Sequence, residues 1–276
     1  MNWVRGIDSR ILEYLEELKK EDENFKYYPV KKGLNEVGYN LDLGFSCYAL
    51  KILKILDQIR IFSNNEINDW VNYLNSFQRI EDNNFVDQFY LEKFYEKNKL
   101  SDFVYPLKLT LNYLTNSNYK NNKTKIENYV RAETKQTVST LFEIKNKNLK
   151  KIKNFPISEQ EIEVFLNKLN WSYPWNSGAQ FAALCVMAKT QLNDQKYLIA
   201  SNTLESYSNK IVNNETGLYY QGQIKNTHEV VNGTMKILTG FDWLEIDIHH
   251  PKKIIDFCLN YSLAQQGCDI EDVVYV

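Results

Sequence analysis

A chain of 276 residues with 33 Lys+Arg against 35 Asp+Glu has a net charge near −2, which excludes the broad positive field of a protein that mainly grips nucleic acid. Its 43% hydrophobic residues can supply a substantial core, but no apolar run approaches the ~20 residues of a membrane span. Only 5 Pro and 10 Gly accompany 19 Tyr, 14 Phe and 5 Trp, a balance that argues against a many-stranded, turn-rich β protein.

The first residues, Met1 to Asp8, lack the apolar stretch of a secretory signal, so a cytoplasmic location is expected. Ile11, Leu12, Tyr14, Leu15 and Leu18 then recur at helical spacing after an Asp8/Ser9 cap. Leu41 to Phe62 is apolar around most of a helix, which predicts burial. Ile67 to Phe77 is amphipathic, and a charged loop separates it from the apolar Phe103 to Leu114. Lys123 to Val130 and Glu133 to Ile144 read as another helical hairpin. Ser158 and Glu161 form a capping box opening Ile162 to Leu169, and Asn176-Ser177-Gly178 leads into Ala179 to Lys189. Asn193-Asp194 opens a helix to about Lys210, and Asn232-Gly233 opens Thr234 to Leu238. Pro251 starts the last outer helix, Ile254 to Leu263, before Cys268 to Val276. Between two of these, Gly217-Leu218-Tyr219-Tyr220-Gln221-Gly222-Gln223-Ile224 reads as a short hairpin or extended loop. The chain stops inside an apolar pattern at Asp272 to Val276, which predicts that Val273 and Tyr275 are buried and that the chain is a fragment or meets a protein partner there.

Five loop-to-helix junctions share small or polar residues before an apolar helix: Leu43-Gly44-Phe45-Ser46, Arg131-Ala132-Glu133-Thr134, Asn176-Ser177-Gly178-Ala179, Val231-Asn232-Gly233-Thr234 and Gln266-Gly267-Cys268-Asp269. Half-exposed helices alternate with nearly all-apolar ones, as concentric rings of helices require. This layout resembles the α/α toroid shared by six-hairpin glycosidases, polysaccharide lyases and epimerases, and terpenoid cyclases and prenyltransferases. The resemblance implies an all-α, single-domain α/α toroid over residues 1–276 with about six helical hairpins. A solenoid of helix pairs is the structural alternative. The Gly217 to Ile224 segment is similar to Gly-aromatic loops at that position in toroid enzymes.

In such a layout the starts of the inner helices converge on one cavity, where their amides favour anions. The resulting candidates are Tyr39 and Asp42 at the first junction, Glu133, Thr134 and Gln136 at the next, Trp175, Asn176 and Gln180 after it, then Asn232 and Lys236, and finally Asp269 and Asp272. Asp42, Glu133, Asp269 and Asp272 are acids beside apolar stretches, and glycoside hydrolysis needs two carboxyl groups, one protonated and one ionised. The plainer reading of Glu133 and Asp269 is that first helical turns favour acids through the helix dipole. Alternatively, Tyr219, Tyr220, Asn226, His228 and Lys236 match, in residue type, the base, proton donor and carboxylate-neutralising groups of uronate lyases and epimerases. The plainer reading of His228 is a surface histidine. Trp171, Trp175, Tyr219, Tyr220 and Trp243 offer ring faces for a sugar or for an isoprenoid cation, or simply fill the core.

His249-His250-Pro251 reads as a helix-start turn with no third metal ligand at suitable spacing. Cys47, Cys185, Cys258 and Cys268 suggest neither a disulfide framework nor a zinc cluster. No G-x-G-x-x-G follows a strand, and neither a G-x-x-x-x-G-K-[ST] loop nor a G-x-S-x-G elbow occurs, so no cofactor is expected. Lys145 to Lys153 reads as a solvated loop. The expectation is a carbohydrate or sugar-nucleotide ligand, no nucleic acid, no membrane span, and acid/base chemistry on a sugar as hydrolase, lyase or epimerase in polysaccharide biosynthesis or modification. The alternatives are a terpenoid cyclase-like enzyme and a non-catalytic helical scaffold.

Overall fold

The computed structural model describes residues 6–21, 23–98, 105–107, 110–111, 121–223, 226–261 and 269–276. The chain is all-α: among the described residues there is no β-strand, only three isolated antiparallel bridges. Its contacts divide it into two compact units, Met1–Lys153 and Asn154–Val276. No helix among the described residues is long and apolar enough to cross a membrane.

The first unit contains α1 (Ile7–Leu18), α2 (Glu36–Asn40), α3 (Leu43–Ile55), a 3-10 turn (Ile59–Ile61), α4 (Asn64–Ser76), α5 (Gln88–Asn98) and α6 (Asn122–Glu143). The apolar run expected to continue to Phe62 as one helix stops at Ile55. Asp57 turns left-handed (φ 55°), and the Gln58 and Asp57 amides donate back to the carbonyls of Leu53 (2.7 Å) and Lys54 (3.2 Å), a Schellman ending. Leu43, Cys47, Leu50 and Leu53 form the buried stripe of α3. A capping box of Ser63 and Glu66 opens α4, which buries Trp70, Val71 and Leu74.

Two expectations fail in this unit. The charged segment after Phe77 contains α5, and the hairpin read at 123–130 and 133–144 is the single 22-residue helix α6. Arg131-Ala132-Glu133-Thr134 holds no helix breaker, so the helix runs through it. The face of α6 that mimics a junction is buried yet polar: Thr134, Thr137, Ser139 and Thr140. Their hydroxyls donate to carbonyls three or four residues back, Thr134 to Val130 at 2.7 Å and Thr137 to Glu133 at 2.9 Å, which satisfies them without a loop.

The second unit contains α7 (Glu159–Asn167), α8 (Pro174–Gln191), α9 (Asp194–Ile211), α10 (Thr227–Leu244), α11 (Pro251–Leu259) and α12 (Asp269–Tyr275). The Ser158/Glu161 box and the Asn193 cap are present where expected. The junctions at Asn176-Ser177-Gly178 and Val231-Asn232-Gly233 are instead helix interiors, because Pro174 starts α8 and Asn226 caps α10, each several residues earlier. The glycines serve contact: a methyl group on Gly178 would lie 2.5 Å from the Gly233 carbonyl oxygen, and one on Gly233 would lie 2.7 Å from Pro174. Backbone thus meets backbone where α8 crosses α10. Phe181, Leu184, Cys185, Leu204, Ile237, Leu238 and Phe241 fill the core of this unit.

A single loop device recurs in both units. Bridges pair Lys19 with Tyr27, Gln78 with Phe85 and Val212 with Tyr219, each just after a helix. Each is flanked by the same two backbone bonds, such as Arg79 N to Asn84 O (2.8 Å) with Val86 N to Phe77 O (3.3 Å), and Asn213 N to Leu218 O (2.8 Å) with Tyr220 N to Ile211 O (2.9 Å). Two residues before each bridging aromatic the backbone is left-handed, at Phe25 (φ 66°), Asn83 (φ 61°) and Gly217 (φ 79°). The ring then drops into the core, and the Phe85 and Tyr219 amides donate to the hydroxyls of Thr134 (2.9 Å) and Thr234 (3.1 Å).

At the end of the chain the expected burial of Val273 and Tyr275 is corrected. Asp272 is the enclosed residue of α12, whereas Tyr275 is 45% exposed and donates its hydroxyl to Asp242. Cys47 and Cys185 are buried thiols, with burial pushing Cys47 up to about 12, and Cys258 is half-buried. Cys268, the Gln266-Gly267-Cys268 junction and most of Phe103 to Leu114 lie outside the described residues.

Candidate functional site

In the first unit the second bridge loop delivers Asp87 to the start of α3. Its Oδ2 accepts the amides of Asp42 (2.8 Å) and Leu43 (3.4 Å), and its Oδ1 accepts the Phe89 amide (3.1 Å), so one buried carboxylate caps both α3 and α5. Glu133, on the fourth turn of α6, faces the same point. A methyl group on Gly44 would lie 3.4 Å from Glu133 Oε1, so the glycine leaves the carboxyl room against the first turn of α3. Burial, and then the charge of Asp87, push Glu133 up to about 7. The group therefore holds its proton near neutral pH and can release it.

Tyrosines surround this pair of acids. Tyr90 and Tyr129 stack with ring centroids 3.6 Å apart, and burial followed by the Glu133 charge holds both phenols above their ordinary value. Tyr73 is raised by burial and by the charges of Asp42 and Asp87. The enclosed Tyr73 hydroxyl is directed at the Asp42 carboxylate, whereas the Gln136 amide nitrogen is enclosed and makes no hydrogen bond among the described residues. Asp42 itself is engaged: Lys20 Nζ lies 2.7 Å from Oδ1 and Lys26 Nζ 3.3 Å from Oδ2. Lys20 also donates to the Tyr39 carbonyl at 2.7 Å, so Asp42 and Tyr39 anchor the α2–α3 corner. Thr134 is fully enclosed and holds the bridge loop.

Among the second-unit candidates, Trp175 and His228 meet edge to face at 5.5 Å, and Asn232 Nδ2 lies 3.0 Å from His228 Nε2. The Asn226 side chain caps the His228 amide at 3.0 Å, and Glu229 accepts the Trp175 amide at 3.3 Å, which ties the start of α8 to that of α10. Asn176 is half-buried on the first turn of α8, and Gln180 is buried one turn further along. Lys236 has its Cβ 3.2 Å from the position a methyl on Gly178 would take.

Several candidates prove to be structural. Tyr219 is 0% exposed, packs edge-on against Phe241 at 5.5 Å, and accepts the His249 amide at 3.2 Å with His249 Nδ1 at 2.9 Å, so no ligand reaches it. Tyr220 and Asn232 are likewise buried. His250 is the left-handed residue before Pro251, and burial lowers His249, so the pair is a helix-start turn as expected. Asp272 is enclosed in α12, and the side chain of Asp269 lies outside the described residues.

Asp87, Tyr73, Tyr90 and Tyr129 escaped the sequence reading. Asp87 did carry a signal, since it directly precedes an aromatic helix start, where a capping acid belongs. Among the described residues no three His, Cys, Asp or Glu side chains are disposed to hold a metal ion. Comparison with known proteins found no matching family model, no matching curated protein and no matching solved structure.

Proposed function

We propose that the chain is an acid/base enzyme acting on a carbohydrate in polysaccharide assembly or modification, of α/α-toroid type, with Glu133 as its proton donor. The observation that carries this reading is the half-buried Glu133 carboxyl raised to about 7 beside a second carboxylate, Asp87. A donor whose pKa lies near the working pH is present in both protonation states, which is the requirement for general acid and base work. The stacked rings of Tyr90 and Tyr129 lie beside it, and the Gln136 amide nitrogen is a polar group left to bond a ligand hydroxyl. The repeated helix, bridge loop and helix arrangement is of the kind that toroids and solenoids of helix pairs share.

In this reading Glu133 gives its proton to the glycosidic oxygen as the C–O bond breaks and water adds to the anomeric carbon, losing its own proton to solvent. In the epimerase form a deprotonated Glu133 takes the proton from the carbon next to a uronate carboxyl, and a solvent-exchanged proton returns to that carbon from the other face. Asp87, fixed by three backbone amides, keeps the donor protonated through its charge. Asp42, Lys20 and Lys26 position the start of α3. The aromatic rings beside the same acid favour a second reading, in which Glu133 protonates an isoprenoid double bond.

Incubating the chain with neutral and uronate oligosaccharides in D2O separates the reactions. New reducing ends indicate hydrolysis, an unsaturated product indicates elimination, and deuterium uptake without cleavage indicates epimerisation. Glu133→Gln is expected to abolish the reaction on unactivated oligosaccharides while sparing 4-nitrophenyl glycosides, whose leaving group needs no proton. Turnover of a prenyl diphosphate alone transfers the assignment to the second reading, and full activity of Glu133→Gln refutes both.

A further inference from the structure

The second unit holds a feature that the proton donor does not use, an open cleft of about 700 Å³ at the start of α10. Glu215 contributes to one wall from the bridge loop, Asn226 and His228 from the start of α10, and Asp256, Phe257 and Tyr261 from α11 and the residues after it. Charge, hydrogen-bonding capacity and apolar surface together narrow its ligand.

Two carboxylates, Glu215 and Asp256, line the cleft against one lysine, Lys253, whose ammonium already donates to the Asn214 carbonyl. A phosphate or carboxylate ligand would meet more repulsion than attraction there. The polar groups combine acceptors, Glu215 and Asp256, with donors such as Lys253, Asn226 and Thr227. Asn260 donates its amide nitrogen to the Asp256 carbonyl (2.8 Å), and a lining of mixed acceptors and donors suits the hydroxyls of a saccharide, which give and accept hydrogen bonds alike. Apolar surface comes as the rings of Phe257 and Tyr261, flat faces suited to the C–H side of a pyranose and too few for a lipid or acyl chain. His228 lies at the wall, held by Asn232 Nδ2 at 3.0 Å from its Nε2 and by the edge-to-face contact with Trp175.

The geometry points to a binding site for a neutral saccharide in this cleft. The inference rests on the carbohydrate reading above for its substrate class and is independent of Glu133. It gives His228 a binding role and makes Asp256 and Tyr261 the principal contacts.

The chain has three histidines, so the ring resonances of His228 can be assigned with a His228→Gln variant and followed by proton NMR on the full-length protein. The probes are maltotriose, N,N′,N″-triacetylchitotriose, trigalacturonate and inorganic phosphate, at constant pH. A neutral trisaccharide is expected to shift the His228 signals with a Kd below about 10 mM. Tyr261→Ala and Asp256→Ala, both outside the buried core, should each weaken that binding at least about tenfold, while Glu133→Gln leaves it unchanged. The site is refuted if no neutral trisaccharide moves His228, if only trigalacturonate or phosphate does, or if both cleft variants bind as the wild type does. Saccharide binding with no turnover would leave the cleft standing and remove the acid assigned to Glu133.

Discussion

Glu133 ties stability to catalysis through one proton. Its carboxyl rises from 4.5 to about 7 on folding, so below pH 4.5 both states are protonated and the group is neutral toward stability. As pH climbs from 4.5 to about 7 the unfolded chain loses a proton that the folded one keeps, and stability falls across that window. Glu133→Gln should therefore raise stability at pH 8 by about 2 kcal/mol while changing little at pH 4, a difference readable from urea midpoints. In the wild type, activity that needs the protonated acid should decline above about pH 7. Gly44→Ala tests the same site from the other side. Its methyl would sit 3.4 Å from Glu133 Oε1, excluding water and moving that decline to higher pH. Tyr219 supplies the contrast. Because its hydroxyl meets both His249 Nδ1 and the His249 amide, Tyr219→Phe should cost about 1 kcal/mol in thermal unfolding and leave saccharide binding intact. Lost binding at unchanged stability would return Tyr219 to the list of ligand contacts.

At the scale of elements, the α8–α10 crossing depends on absent side chains. A Cβ on Gly178 would fall 2.5 Å from a backbone oxygen that cannot move without α10, so Gly178→Ala should destabilise by about 2 kcal/mol or more, although alanine is the better helix former. A melting temperature unchanged by this substitution would mean that the helices do not touch there. The same glycines explain which parts of the fold the sequence disclosed. Apolar periodicity and the capping residues Ser158 and Asn193 marked true helices, because both signals are local. Gly178 and Gly233 looked like loop residues, since glycine at a close helix contact and glycine at a helix end are the same letter. Polarity misled in α6 for a related reason: Thr134, Thr137 and Thr140 are satisfied by their own helix, a bonding pattern that composition does not reveal. Only one of the three bridge loops was visible in advance, because Gly217 advertises its left-handed turn while Phe25 and Asn83, in the same conformation, do not.

Across the whole molecule the acids distribute their proton affinity unequally, and a bulk property should register it. The sequence sets a pI of about 6.0 on the assumption that every carboxyl behaves ordinarily. Glu133 could be singled out by its position beside an apolar run, but its partner Asp87 lies 46 residues earlier, at the end of a loop whose shape the chain had to fold to disclose. At pH 6 a carboxyl with a pKa near 7 is about nine-tenths protonated, so in the native protein Glu133 already behaves almost as a glutamine. Native isoelectric focusing should therefore place Glu133→Gln nearly level with the wild type. Focusing in urea, where the carboxyl is restored to its ordinary value, should separate the two by the full effect of one lost negative charge. The exposed Glu159→Gln is the control expected to move in both gels. If Glu133→Gln also shifts fully under native conditions, the carboxyl is ionised in the folded chain, and both the proton donor and the pH-dependent stability assigned to it fall together.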